Sequence, residues 1–443
     1  MTGKSMYKRT SRWRSFFGVS TLALVLVACA EPEIILQGER EPIRPEDAVK
    51  VENQSRKISL PSQKANAAWP QFHGTAGFRT AHPALAATPT LQWSTSIGDG
   101  DSRRQRITAQ PVVGAGRVYT LDSSARATAV SPSGQVLWST QMIPSSDDAG
   151  EATGGGIAYH DGVLYVSSGF GVLTALSAET GAVIWRQELD ATGSGQPLVQ
   201  DGLLYLVAGD QTGWAVHTKD GRIAWQFEAS PSVANVLGAA APALTSDLAI
   251  FAFGSGDITA TFRKGGLPRW NASVSGQRVG RTISGISDVT GAPVVAGNTV
   301  YVGNNAGRTA AFDAGNGDRL WTAREGTTGP VWPAGDSVFQ ITDLSALARL
   351  DAQSGETIWS VKLPNFLKDK PRKREEIVAH HGPILAGGNV IVVSNDGAMR
   401  LFDPTDGQLL RSIEIPDGAT TAPVVAGETL YVVSTKGELH AFR

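Results

Sequence analysis

Thiol chemistry in this 443-residue chain rests on one residue, Cys29. One cysteine forms no internal disulfide and builds no thiolate metal site. The other reactive side chains do not combine into a site. His380 and His381 are adjacent, and neighbours on a strand point to opposite faces, which makes them a poor metal pair. His73 and His82 lie in a stretch rich in Gly and Pro and share no evident task. No GxxxxGK[ST] phosphate loop occurs, and no Ser-His-Asp arrangement stands out by spacing. Net charge is -2, with 39 basic and 41 acidic residues, so nothing global points to nucleic acid. The chain reads as a non-enzyme with no cofactor and no metal ligands.

Cys29 is left as the candidate, and its setting says what for. Lys4, Lys8, Arg9, Arg12 and Arg14 form a positive leader, and Phe16 to Ala28 carry no charge. That run matches a secretory signal core and is shorter than the roughly 20 residues of a spanning helix. Leu26-Val27-Ala28-Cys29 resembles the bacterial lipobox, in which the cysteine is lipidated and becomes the first residue of the mature chain. The alternative is an ordinary secretory signal with a cysteine nearby. Ala30, rather than Asp, follows the cysteine, which under the enteric sorting rule favours the outer membrane. Residues 1–28 therefore read as a signal peptide. Residues 29–68, charged, proline-containing and aperiodic, read as the lipidated Cys29 and a tether.

The rest of the chain repeats itself. Copies begin at Gln110, Gly156, Gln196, Ala241, Ala292, Gly329, Gly382 and Ala422. Each reads strand, Gly turn, strand, Gly turn, strand, Ser/Thr/Asp-Gly turn, strand. Trp138, Trp185, Trp225, Trp270, Trp321 and Trp359 open the fourth strand, at intervals of 38 to 51 residues. That period, with four short strands, predicts propeller blades. Pairs such as Val118-Tyr119 and Val300-Tyr301 suit strands buried between neighbouring blades. The eighth copy stops one strand short, and "LQWSTSIG" from Leu91 is a fourth strand without a blade. It predicts closure of the ring, which removes open sheet edges. The expected fold is all-β: a lead-in at 69–90 and an eight-bladed β-propeller of four-stranded antiparallel blades at 91–443. Leu410-Arg411 replaces the tryptophan in the seventh copy, so a looser seam is expected there.

The repeat "PVV-x-G-x-x-VYV…TG-x-x-x-W" and the lead-in "WPQFHGTAG" at Trp69–Gly77 resemble the pyrroloquinoline quinone-type repeats. The quinoprotein dehydrogenases of that superfamily carry a vicinal disulfide, a Ca²⁺ site and a catalytic Asp. A chain with Cys29 alone lacks the disulfide. Asp313, Asp351 and Asp403 recur at one repeat position before a turn, as hairpin residues do. The other branch is the BamB family, the propeller lipoproteins of the outer-membrane β-barrel assembly (BAM) machine. "VLGAAAPAL" at Val236–Leu244 and "RTISGISDVTGAPVV" at Arg281–Val295 resemble two of its loops. In that family these loops contact the periplasmic domains of BamA, the barrel insertase. The resemblance implies a partner-binding set of Val236, Leu237, Arg281, Asp288 and Thr290. Leu237 stands where the family has Arg, and Thr290 where it has a second Asp; Arg278 and Arg281 are candidates to replace the missing cation. Asp288 also reads as a turn residue capping backbone N–H groups.

The function implied is a non-enzymatic scaffold lipoprotein, anchored in the outer membrane and facing the periplasm, as one subunit of a hetero-oligomer. A propeller binding peptidoglycan, polysaccharide or another envelope protein stays open, as does a quinoprotein enzyme. The run "KDKPRKREE" at Lys368–Glu376 is the densest in charge. It reads as a solvated loop, or as a contact for an acidic partner or lipid head groups.

Overall fold

The computed structural model describes residues 52–75, 79, 82–191, 195–230, 239–274, 276, 278, 288–368 and 370–443. These form eight four-stranded antiparallel sheets, each the blade of a closed ring. Blade one is typical: strands Val112–Gly114, Arg117–Leu121, Arg126–Val130 and Val136–Gln141 run from the axis to the rim. The second and third strands are buried almost throughout, and the outer strand alternates between exposed and half-buried residues. The blades follow in order, and the eighth takes Val424–Ala426, Thr429–Val433 and Glu438–Phe442 from the C-terminus. Its outer strand is Leu91–Ser96, paired from Leu91↔Phe442 to Ser96↔Glu438. Thr90 and Arg443 exchange backbone hydrogen bonds of 2.8 and 2.9 Å at that junction. The closure expected from "LQWSTSIG" is the one observed.

Seven tryptophans latch each blade to the next. The indole Nε1 of Trp138 donates to Ala178 O at 3.1 Å, across the seam to the turn before the outer strand of blade two. Trp93, Trp185, Trp225, Trp270, Trp321 and Trp359 make the equivalent bond at 2.8–3.2 Å. Each ring also lies on a glycine of that turn. For Trp138 it is Gly181, with φ of +74°, where a Cβ would come within 2.6 Å of the indole. That glycine is required twice, for the left-handed turn and for the close approach. A bulge precedes each tryptophan and sharpens the strand's twist.

Blade seven alone has no tryptophan at this position, and the ring explains it. The blade after it is the eighth, whose third and outer strands are opposite ends of the chain. No turn joins them, so no glycine and no carbonyl wait for an indole. The expectation of a loose seam therefore gives way to a seam built differently. It is packed by the largest apolar cluster, which includes Leu401, Phe402, Leu430, Val432, Leu439 and Phe442.

The ring has two unlike faces. One carries the turn between first and second strands and the turn between third and outer strands. Residues 52–90 lie on this face. Asn66 bonds blade eight through Val425 O and Gly427 N. Trp69 pairs with Val113 of blade one, Pro70 O accepts from Tyr159 N of blade two, and Gln71 brackets Val199 of blade three. Arg79 donates to Pro330 O and Val331 O beside blade six and lies 4.9 Å over Trp332, which in turn lies 6.1 Å from Trp69. Because one short segment touches innermost strands on opposite sides, it crosses the axis of the ring. Residues 52–68, which composition groups with the tether, are bonded here too.

The anchor of that early stretch is Arg349. Its guanidinium is fully buried and donates to Arg56 O, Lys57 O, Pro404 O and Thr405 O. Arg56 itself pairs with Asp336 and Asp351 at 3.1 and 2.7 Å. In blade six Ile358 is thereby buried, whereas Leu137, Ile184, Leu320 and Leu410, at the same bulge, are about half exposed.

Candidate partner-binding face

The opposite face carries the turns between second and third strands and the loops that pass from each blade to the next. Two of these loops hold the partner-binding residues expected from sequence. The first, 229–242, joins blades three and four; the second, 274–290, joins blades four and five. The two are therefore neighbours on the face opposite the turns that residues 52–71 cover.

Val236, Leu237 and Arg281 lie outside the described residues. What is described is the frame that holds their loops. Pro242 and Ala241 are buried where the first loop enters blade four. Gln211, in a turn of blade three, accepts from Ala229 N through its backbone, and its side chain accepts from Gly254 N at 2.6 Å.

The second loop is tied at both ends. At its start, Asn304 donates to Val274 O and Gly276 O at 3.0 and 3.2 Å. Arg278 N donates to Ala306 O at 2.6 Å. The Arg278 guanidinium reaches Asp343 of blade six at 3.2 Å and Arg324 O at 2.8 Å. Arg278, a candidate for the missing cation, is thus committed to a carboxylate whose side chain is only 5 % exposed. Its role is to pin the loop.

At the far end, Asp288 is buried, only 2 % exposed. Its backbone oxygen accepts from Thr290 N and Asn305 N at 3.1 and 3.2 Å. Thr290 Oγ1 donates to Thr327 O at 2.5 Å. Asp288 and Thr290 are brought together: Asp288 is buried, and the Thr290 hydroxyl is bonded to the segment between blades five and six. The sequence motif located the loop; it could not tell a rim residue from a buried one. A carboxylate this buried is no exposed contact; Asp288 belongs to the frame of the loop.

His380 and His381 sit on the inner strand of blade seven, opposite Ser394 and Val393. The ring nitrogens of His380 are engaged by Ser394 Oγ at 2.6 Å and Pro364 O at 2.8 Å. Among the described residues no three His, Cys, Asp or Glu side chains gather as metal ligands. His73, in the segment across the axis, is fully buried. Burial, with Arg79 close by, lowers its pKa to about 3.

Sequence reasoning missed Arg349 and its hold on residues 52–68. The signal was present. Arg349 pairs with Trp359 in the register. Blades one to five put Ala129, Ala175, Ala215, Ala260 and Ala311 opposite their tryptophans. A cation at a buried position reserved for alanine demands partners.

Comparison with known proteins fits this architecture. The family model described as outer membrane protein assembly factor BamB matches residues 123–361 and 343–443. Outer membrane protein assembly factor BamB of Yersinia pestis is 23% identical over 361 residues, covering 80% of this chain and 89% of that protein. The Burkholderia pseudomallei protein of the same name is 26% identical over 374 residues, covering 82% and 92%. The crystal structure of BamB from Moraxella catarrhalis superimposes with a TM-score of 0.66 at 20% identity, covering 80% of this chain and all of that one. Quinohemoprotein alcohol dehydrogenase from Comamonas testosteroni gives 0.63 at 15% identity, covering 85% and 80%. Both structural likenesses are of fold. The family match, which runs through most of the ring, goes further: this chain belongs to the family of the outer membrane protein assembly factor BamB.

Proposed function

We propose that the protein is a non-enzymatic scaffold lipoprotein of outer-membrane β-barrel assembly. In this reading Cys29 carries the lipid, the propeller faces the periplasm, and the loops holding Val236, Leu237 and Arg281 dock the periplasmic domains of BamA. Asp288 and Thr290 set the shape of the second loop. The observation that carries the reading is the placement of these loops. They hang from adjacent blades, four and five, on the face opposite the turns that residues 52–71 cover, and fixed residues at their roots hold them. Interfaces usually concentrate their energy in a few residues.

The test is crosslinking and capture from intact envelopes, followed by affinity for the isolated BamA periplasmic domains. Capture of BamA and its loss on Arg278→Ala are the expected results, because that variant frees the loop root from Asp343. A folded Arg278→Ala protein binding as tightly as the parent would sink the proposed face.

A further inference from the structure

Residues 363–379 pass from blade six to blade seven and project as a hairpin from the proposed docking face. The hairpin is built. Phe366 and Ile377 form an antiparallel bridge, Leu367 N donates to Glu376 O at 3.0 Å, and Val378 N to Asn365 O at 3.0 Å. A single turn of 3-10 helix, Pro371–Lys373, shapes the tip. Arg374 stacks over Phe366 at 5.2 Å. Lys368, Lys370, Arg372 and Lys373 are exposed. Glu375 and Glu376 follow the tip, and Lys370–Arg374 holds four cations and no anion. Two large apolar residues flank this tip in the open: Leu367, 39 % exposed, and Ile377, 69 % exposed.

A second observation concerns where the described chain begins. Gln54 N donates to Ile358 O at 2.9 Å. The Asn53 side chain brackets the backbone of Ser360, at 3.1 and 2.9 Å. Residues 54 and 53 thus run antiparallel to the outer strand of blade six, Thr357–Lys362. From Gln54 to Asn53 the partner moves from Ile358 to Ser360, toward the end of that strand. The hairpin starts there. Residues 30–51, 22 in all, join this edge to Cys29 and extend no further than about 75 Å.

We propose that the hairpin binds anionic phospholipid head groups of the bilayer that holds Cys29, a proposal that rests on the lipoprotein reading of that residue. Clustered cations beside exposed apolar side chains fit an anionic interface, the cations to the head groups and Leu367 and Ile377 to the acyl boundary. The described chain begins on the edge of the ring that carries the hairpin. A second contact at that edge turns a swivelling attachment into an oriented one, with the docking loops of blades four and five held at a fixed side.

Residues 29–443, produced without the leader and so unacylated, contain every described strand. Their binding to vesicles of phosphatidylcholine with phosphatidylglycerol is compared with binding to phosphatidylcholine alone. Tighter binding to the anionic vesicles, by tenfold or more, and its loss between about 0.05 M and about 0.5 M salt are expected. Lys370→Gln, Arg372→Gln and Lys373→Gln together, in a protein with unchanged circular dichroism, are expected to lower that binding roughly a hundredfold, since each cation contributes about fivefold. Equal binding to both vesicles, or a triple variant that binds like the parent, overturns the proposal. So does a triple variant that keeps vesicle binding and loses BamA capture, which would make the hairpin a protein contact. Fatty-acid labelling of Cys29 is read separately. A chain that binds anionic vesicles but takes no label removes the anchor and leaves the hairpin's chemistry standing.

Discussion

On the face that carries residues 52–90, the turns before the outer strands are nearly identical. They have five or six residues, a glycine at the same place and a carbonyl that receives an indole. On the opposite face, the loops between blades range from eight residues, at 324–331, to 17, at 274–290. The difference separates two tasks. Every seam needs the same closure, so its parts repeat. Recognition needs asymmetry, so the loops differ from blade to blade. The two longest, 274–290 and the hairpin at 363–379, with 17 residues each, stand on this second face, as does the loop at 229–242.

The comparison can be broken hardest at the ring itself. Deleting residues 1–98 removes the strand Leu91–Ser96 and bares the edge Glu438–Phe442, along with the segment across the axis. Loss of a cooperative melt is expected. Deleting residues 1–51 leaves every described contact in place and should leave the melting temperature within a few degrees. Circular dichroism on both truncations decides it; equal melts would contradict closure by that strand.

Next come the latches. Trp359 is fully buried and donates to Pro404 O at 3.2 Å. Trp359→Ala should cost about 3–5 kcal/mol, the range for emptying a large aromatic site. Leu410 occupies the position just before the missing tryptophan of blade seven and is 47 % exposed. Leu410→Ala should stay within about 0.5 kcal/mol. Denaturant midpoints give both values, and a costly Leu410→Ala would mean that the seventh seam depends on its outer strand after all.

Arg349 joins the repeated face to residues 52–68. Its replacement by Met keeps much of the bulk and leaves the carbonyls of Arg56, Lys57 and Pro404 without their donor. A loss of about 2 kcal/mol is expected, allowing for water reaching the partly exposed carbonyls. Limited proteolysis should then cut within 52–68 before any cut in the blades.

A smaller effect belongs to pH. Burial holds His73 neutral in the folded protein, with a pKa of about 3 against an ordinary 6.5. The unfolded chain takes up the proton first as pH falls. The stabilisation is whole above pH 6.5 and drains away from there toward 3, at up to about 1.4 kcal/mol per pH unit. His73→Gln should show a shallower loss of stability between pH 7 and 5 in urea unfolding. Parallel slopes for parent and variant would show that His73 does not titrate on unfolding.

The fold was legible because it is periodic. Eight copies, seven tryptophans and the orphan strand at Leu91 specify the ring, since each blade buries the same faces against its neighbours. What was illegible is what occurs once. Residues 52–73 bind largely through backbone groups, which leave no mark on composition. Asp288 shows the limit of a motif: a matching loop fixes the position of a carboxylate along the chain and says nothing of its burial. The absent tryptophan of blade seven was visible, but its reason lay in topology, at the one blade made from both ends of the chain.

The finest test falls on the varied face alone. Leu237 stands where the family's loop carries Arg. On the docking reading, Leu237→Arg supplies the cation that the family's loop carries at this position. It should tighten binding to the BamA periplasmic domains by about tenfold, the lower end of the range for one added charge-assisted hydrogen bond at an interface. Stability should not move, because loops on this face take no part in the indole latches. If Leu237→Arg instead weakens binding while the melt is unchanged, the loop meets its partner through an apolar contact of its own. The family's polar contact would then have been replaced here, rather than lost. If binding and melt are both unmoved, the loop at 229–242 lies outside the interface, and the docking surface narrows to the loop rooted at Asp288.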